Sequence, residues 1–154
     1  MGTRKQLYWE DVREGQELPC DFSLKIDWTQ VAKSVSGSQD FYAVHHDPDF
    51  ARAHGHRDLF VMRGFMNGCF NRLIHAWIGD EGFLRRFHLE FRKSNYFGDT
   101  ITLRGKVTRR YVSNGDHCVD ADVWCENQRD GITTPCNCTV TLPSRASHKA
   151  FSSD

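Results

Sequence analysis

The sequence predicts an α+β domain in which a curved antiparallel sheet wraps one long helix. Three observations predict it. Four segments after Gly82 alternate apolar and polar side chains with a period of two. The gaps between them are clusters rich in Asn, Asp, Gly and Ser, the residues of turns. Ahead of them, from about Gly64 to Ile78, apolar residues recur at helical spacing.

The first element in the chain is a strand around Cys20 to Ile26, where Phe22, Leu24 and Ile26 alternate with Ser23 and Lys25. Trp28 to Ser36 reads as a short helix that Gly37 ends. Asp47-Pro48-Asp49 is a helix start: an N-cap, a proline at the first helical position and an acid in the first turn. Gly55 ends that helix. In the long helix, Phe65, Met66, Cys69, Phe70, Leu73, Ile74 and Trp77 form a core-facing stripe. Fifteen residues span about 22 Å, enough to cross several strands. Gly64 and Gly68 are expected to bring its first turn close to neighbouring backbone.

In the four later segments, Phe83, Phe87, Leu89 and Phe91 share one face, as do Ile101, Leu103 and Val107. Val119, Ala121, Val123 and Cys125 form the next apolar set, and Ile132, Cys136, Cys138, Val140 and Leu142 the last. Asn95 to Asp99, Ser113 to Asp116 and Arg129 to Gly131 separate them, so the four read as an antiparallel meander covered on one face. The polar stretch from Ser144 to Asp154 is expected to be a disordered tail, leaving one domain over residues 1–143.

Composition removes several function classes. Lys+Arg and Asp+Glu number 20 each, so the formal charge is zero and no basic excess marks a nucleic-acid partner. No apolar run follows Arg4 and Lys5, as a secretory signal would require, and no stretch approaches the ~20 apolar residues of a membrane span. A cytoplasmic chain without membrane association is expected. The six cysteines are then expected to be buried, reduced thiols. Cys136 and Cys138 would lie about 7 Å apart on one strand face, which is not the spacing of a zinc knuckle.

The most informative stretch runs from Ser36 to Ala51. Asp40 and His45 lie five residues apart just ahead of the Asp47-Pro48 helix start. On a continuous helix their side chains would point about 140° apart. They can serve one substrate only if the segment between them folds back on itself. Such a loop can hold an acid and a base over one carbon–carbon bond. The first N–H groups of the long helix, at Arg63-Gly64-Phe65, supply the complementary feature: they lack intrahelical partners and carry the positive end of the dipole. A thioester carbonyl directed at Gly64 N–H would have its enolate charge stabilised there. His45, His46, His54 and His56 invite a metal reading, but they lack a helical His-x-x-x-His pair, so no metal is expected. Arg92, Lys93 and the other basic residues of the strands read as solvated charges, some of them able to meet phosphates.

These residues resemble those of the MaoC-like hydratases/dehydratases, the (R)-specific enoyl-CoA hydratase branch of the hotdog superfamily. The family's Asp-x-Asn-Pro-x-His loop corresponds to Asp40-Phe41-Tyr42-Ala43-Val44-His45, after Ser36-Gly37 and before Asp47-Pro48-Asp49-Phe50-Ala51. Tyr8 to Leu18 is similar to the family's lead-in, and Phe97-Gly98-Asp99-Thr100-Ile101 to its late strand entry. The resemblance spans roughly residues 8–143. It implies a hotdog fold, a hydro-lyase acting on an acyl-CoA, Asp40 and His45 as the catalytic pair, and the Gly64 backbone N–H as the oxyanion donor. It implies no cofactor, coenzyme A being part of the substrate. A homodimer, or a heteromer with another hotdog chain, is the implied assembly.

The chain departs from the pattern in three places. Tyr42-Ala43 replaces Asn-Pro, Ser38-Gln39 separates Gly37 from Asp40, and Arg63 stands where the family has a His before the helix glycine. Tyr42, Arg63 and Phe65 are therefore candidate substrate-binding residues. Similar variants act on bulky, sterol-like thioesters, some as heteromers. Two alternatives remain at this stage. One is a hotdog acyl-CoA thioesterase, which usually needs a carboxylate on or near the central helix, and residues 64–78 hold none. The other is a subunit whose partner supplies the chemistry.

Overall fold

The computed structural model describes residues 6–19 and 22–146. Among the described residues, three α-helices, α1 (Trp28–Ser38), α2 (Pro48–Ala53) and α3 (Arg63–Ile78), accompany five strands. These are β1 (Ser23–Lys25), β2 (Phe83–Leu89), β3 (Thr100–Ser113), β4 (Asp116–Asn127) and β5 (Gly131–Thr141). The strands form one antiparallel sheet in the order β1-β3-β4-β5-β2. Cys20 and Asp21, at the start of the expected first strand, lie outside the described residues.

Only part of the expected meander is there. β3, β4 and β5 follow one another as hairpins, and Asn114 and Gly115 turn the first of them with φ of 51° and 84°, both left-handed. Two positive φ values are what a tight hairpin turn between twisted strands requires. β2 does not pair with β3; it runs along β5 at the far edge. The segment between Leu89 and Thr100 is too long for a tight turn: the Glu90 and Arg92 N–H groups still donate to the β5 carbonyls of Pro135 and Thr133, and Tyr96 then pairs with Phe60.

Bulges also overturn two face assignments. A register shift between Leu84 and Arg86 turns Leu84 toward the core and leaves Phe83 61% exposed. A second shift, opposite Cys125/Glu126, pairs Glu126 with Ile132 and Cys125 with Thr134. Ile132 is thereby 49% exposed, and Thr134, fully buried, takes the inward place. An extra residue in one strand moves every side chain beyond it to the opposite face.

α3 lies across the inner face of the sheet. Phe70 and Ile74 are fully buried, and the ring of Phe70 meets Phe87 edge-on at 6.3 Å. Each such side chain contributes about 1.5–3 kcal/mol by leaving water. Gly64 and Gly68 do not mediate the expected close backbone approach. A Cβ on Gly64 would meet only Ser38 Cβ, at 3.8 Å, and one on Gly68 nothing within 4 Å. Both are exposed, because they lie one turn apart on the face away from the core. Close approach occurs instead at Gly105, where a Cβ would stand 2.9 Å from Leu18 and 3.2 Å from the Asp122 carbonyl. There the N-terminal segment runs antiparallel beside β3, and Leu18 N–H donates to the Gly105 carbonyl at 2.9 Å.

α1 runs through Gly37 to Ser38 and ends at Gln39, which takes the left-handed φ of 58° that the glycine was expected to supply. The first residues of the expected tail are fastened: Ser144 is buried and its hydroxyl donates to Glu10, while Arg145 pairs with Asp11 at 2.7 Å. Residues 147–154 lie outside the described residues. Among the described residues five free cysteines are buried; burial pushes Cys69, Cys136 and Cys138 up to about 12 and Cys125 to about 11. No helix among the described residues is long and apolar enough to cross a membrane.

Candidate active site

The segment between α1 and α2 folds back on itself, as one site for Asp40 and His45 demands. Beyond Gln39, the Tyr42 N–H donates to Asp40 Oδ1 at 3.2 Å, a short side-chain-to-backbone turn that Asp favours. Ala43–His45 then forms a single 3-10 turn, and Asp47 N–H donates to the Ala43 carbonyl at 2.8 Å. Asp47 caps α2, accepting from Asp49 and Phe50 N–H at 3.0 Å each, with Pro48 in the first position. The result sets His45 Nε2 3.7 Å from Asp40 Oδ2.

His45 is 8% exposed, whereas the Asp40 side chain is 48% exposed, so the acid stands at the mouth and the imidazole inside. His45 Nδ1 lies 2.8 Å from the Phe60 carbonyl. A carbonyl can only accept, so Nδ1 carries the proton, and in the neutral ring the Nε2 lone pair faces Asp40. The Phe60 backbone is itself held, by a bridge to Tyr96 and by the Val61 N–H, which donates to the Asn95 carbonyl at 3.1 Å. The ring of Phe60 meets the imidazole edge-on at 4.8 Å. The 3.7 Å separation exceeds a direct hydrogen bond, and both polar atoms remain available to a third group between them.

Asp40 and His45 line a cleft of about 870 Å³, with Tyr42, Arg63 and Gly64 also on its wall. α3 begins there, and its N-cap, Met62, provides no side-chain cap. An uncapped helix start directs N–H groups and positive potential at whatever occupies the opening. Arg63 lies over the Phe91 ring at 5.4 Å from its centre. Phe65 is not among the lining residues; it packs against the core, since one helical step turns it about 100° from Gly64. His46 is exposed and off the cleft, while His54 and His56 line it. No cluster of three or more metal-binding side chains occurs among the described residues.

Three participants escaped the sequence. The Phe60 carbonyl that fixes the His45 tautomer is backbone and has no sequence signature. Asn95 and Thr134, both buried, also line the cleft. Asn95 lay concealed in a cluster that read as a turn. Thr134 had a usable signal: a hydroxyl two residues before Cys136, in the inward alternation of β5.

No family model matches the chain. It is 33% identical over 94 residues to the 3-oxo-4,17-pregnadiene-20-carboxyl-CoA hydratase beta subunit of Mycobacterium tuberculosis (strain ATCC 25618 / H37Rv), covering 61% of this chain and 72% of that one. Among solved structures, a chain of the ChsH1-ChsH2 complex from Mycobacterium tuberculosis superposes with a TM-score of 0.75 at 27% identity. The match covers 85% of this chain and 98% of that one. The (R)-hydratase from A. caviae involved in PHA biosynthesis gives 0.75 at 21% identity, over 87% and 99% of the two chains. A MaoC-like dehydratase from Rhodospirillum rubrum gives 0.76 at 17%, over 90% and 98%; these last two likenesses concern the fold.

Proposed function

We propose that this chain, which belongs to the MaoC-like hydratases/dehydratases of the hotdog superfamily, reversibly adds water across the C2–C3 double bond of an enoyl-CoA thioester. The product is a 3-hydroxyacyl-CoA. The observation that carries the reading is the Asp40/His45 geometry: two proton-transfer groups 3.7 Å apart, with the imidazole's free lone pair turned toward the carboxylate.

In the proposed mechanism a water sits between Asp40 Oδ2 and His45 Nε2. The pair withdraws a proton as the water oxygen attacks C3, and electron density moves through C2 onto the thioester oxygen. The Gly64 N–H at the start of α3 stabilises that charge. The same pair returns a proton to C2, so H and OH are added with no net proton consumed. No cofactor enters, and coenzyme A remains attached to the acyl group throughout. Arg63, Arg92 and Lys93 at the cleft are the cations available to its phosphates.

A bulky acyl group is the proposed substrate class. In support, the cleft falls at the upper end of ordinary ligand pockets, roughly 300–1,000 Å³, and the curated relative is named for a steroid-type thioester. That relative is a beta subunit and the similar structure is a two-protein complex, which favours a second hotdog chain as partner over a homodimer. A thioesterase is disfavoured because α3 carries no Asp or Glu. The test is hydration of crotonyl-CoA and of longer, branched and ring-bearing enoyl-CoAs, read by mass spectrometry as gain of one water. It is run with the chain alone and with whatever hotdog protein co-purifies. Thiol release without hydrated product would overturn the reading.

A further inference from the structure

We propose that Asn95 and Thr134 form a polar subsite on the inner wall of the cleft, where they hydrogen-bond a carbonyl or hydroxyl oxygen carried by the acyl group. The inference rests on the enoyl-CoA reading for the direction in which the ligand enters.

Asn95 is 3% exposed and its amide orientation is dictated by its neighbours. Asn127 Oδ1 accepts from the backbone N–H groups of Arg129 and Asp130, at 3.0 and 2.7 Å. Its Nδ2 must therefore donate, and it does so to Asn95 Oδ1 at 2.9 Å. Asn95 is left with its Nδ2 pointing the other way. The neighbours there are two sulfur atoms, Met66 Sδ at 3.8 Å and Cys125 Sγ at 3.9 Å. Sulfur is a weak acceptor, so a buried amide donor is poorly satisfied.

Thr134 stands beside it. It pairs with Cys125 in the β4–β5 register, so the two side chains share the inward face. Thr134 is fully buried, and its Oγ1 has no hydrogen-bond partner among the described residues. Leaving a buried hydroxyl without a partner, and a buried amide N–H with only sulfur to donate to, is unfavourable, and native proteins normally satisfy such groups. Both residues line the cleft, and a ligand oxygen placed between them would satisfy both at once.

The cleft has a direction. Asp40 marks its exposed mouth, and coenzyme A is too large and charged to pass inward, so the thioester stays near Asp40 and Gly64. The acyl group alone reaches the wall at Asn95 and Thr134. An all-hydrocarbon chain would leave the Thr134 hydroxyl unmet and the Asn95 amide with sulfur alone. An oxygenated skeleton would not, and a site built to hydrogen-bond an oxygen discriminates against the analogue lacking it.

The experiment uses matched pairs of ring-bearing 2-enoyl-CoAs, each pair differing by a ketone in place of a methylene, at near, middle and far positions. The wild-type chain is expected to favour the ketone in at least one pair by about tenfold in kcat/KM. Thr134→Val, which keeps the shape and removes the hydroxyl, is expected to bring that ratio toward one without lowering Tm. Asn95→Leu should do the same where it folds; Thr134→Val carries the test where it does not. Ratios near one in every pair, or a wild-type ratio in Thr134→Val, would overturn the subsite. Calorimetric Kd values for the saturated versions of each pair separate the two readings. A ketone preference in binding that Thr134→Val erases, without hydration, overturns the hydratase reading and supports the subsite. Hydration without any preference does the reverse, and neither binding nor hydration overturns both.

Discussion

The guanidinium of Arg129 meets the carboxylate of Asp99 at 2.7 Å, and through it the β4–β5 turn holds the loop that leads into β3. Asp99 is 2% exposed and also accepts from the Tyr96 N–H at 2.8 Å. That loop carries Asn95, whose carbonyl holds Val61 beside the Phe60 that orients His45. The carboxylate in turn holds the Arg129 pKa above its ordinary value through their hydrogen bond. Arg129→Met would leave a buried carboxylate without its cation. The expected loss is about 3 kcal/mol in urea unfolding, at the low end for breaking a buried pair because the Arg129 side chain is 26% exposed. Asp99→Asn should cost less, since the amide oxygen still accepts from Tyr96.

Asp40→Asn and His45→Ala test the proposed chemistry. Each is expected to lower kcat for enoyl-CoA hydration by about 10²–10⁴. Their effects on stability should differ. Asp40 is half exposed, so Asp40→Asn should leave Tm nearly unchanged. His45→Ala leaves the Phe60 carbonyl without its donor and costs about 1–3 kcal/mol. Wild-type turnover in both variants would remove the assigned roles.

Gly64→Ala separates the two jobs that a helix-start glycine can have. An alanine Cβ there would be in ordinary contact with Ser38, so packing does not forbid it. Alanine is the better helix former by about 0.5–1 kcal/mol, so Tm should hold or rise. The methyl group would point into the opening where the thioester is proposed to sit, so kcat/KM should fall. A more stable variant with unchanged kcat/KM would mean that the acyl-CoA does not approach Gly64 closely.

Much of this arrangement was legible in the sequence, and the part that was not has a common cause. The α3 stripe, the Asp47-Pro48 cap and the hairpin at Asn114-Gly115 are set by neighbours a few residues apart, so spacing alone reveals them. Phe83 and Ile132 were placed on the wrong face because a bulge depends on the partner strand. The site divides in the same way. Asp40 and His45 belong to one short loop, and their meeting could be anticipated from the helix start behind them. Asn95, Thr134 and the Phe60 carbonyl reach the cleft from three distant segments, and only the sheet's pairing order brings them together.

Native alkylation offers a check on the core. With thiols raised to about 11 or 12 by burial, Cys69, Cys125, Cys136 and Cys138 are almost wholly protonated at pH 8. Mass-mapped iodoacetamide labelling should leave these four unmodified in the folded chain and label all of them in denaturant. Rapid native labelling of Cys136 or Cys138 would mean that β5 does not face the core as described.

The cross-strand pair of Arg104 and Glu126 gives a pH dependence of definite sign. Arg104 Nε lies 2.6 Å from Glu126 Oε1, and Trp124 Nε1 donates to the other oxygen at 3.3 Å. The hydrogen bond from Arg104, helped by that from Trp124, holds the Glu126 carboxyl below the usual carboxylate range, against partial desolvation. A carboxyl with a lower pKa in the folded chain binds fewer protons there than when unfolded. Its stabilisation is therefore complete above the unfolded value, near 4.3, and fades as pH falls through the folded one. The Arg104 side chain is 56% exposed, so solvent screens the pair and its worth is under about 1 kcal/mol. Glu126→Gln should accordingly be slightly less stable than wild type in urea melts at pH 7. The difference should close below about pH 4 and shrink in high salt. A gap that persists at pH 3 would mean that the carboxylate's charge is not what joins β3 to β4 at this point.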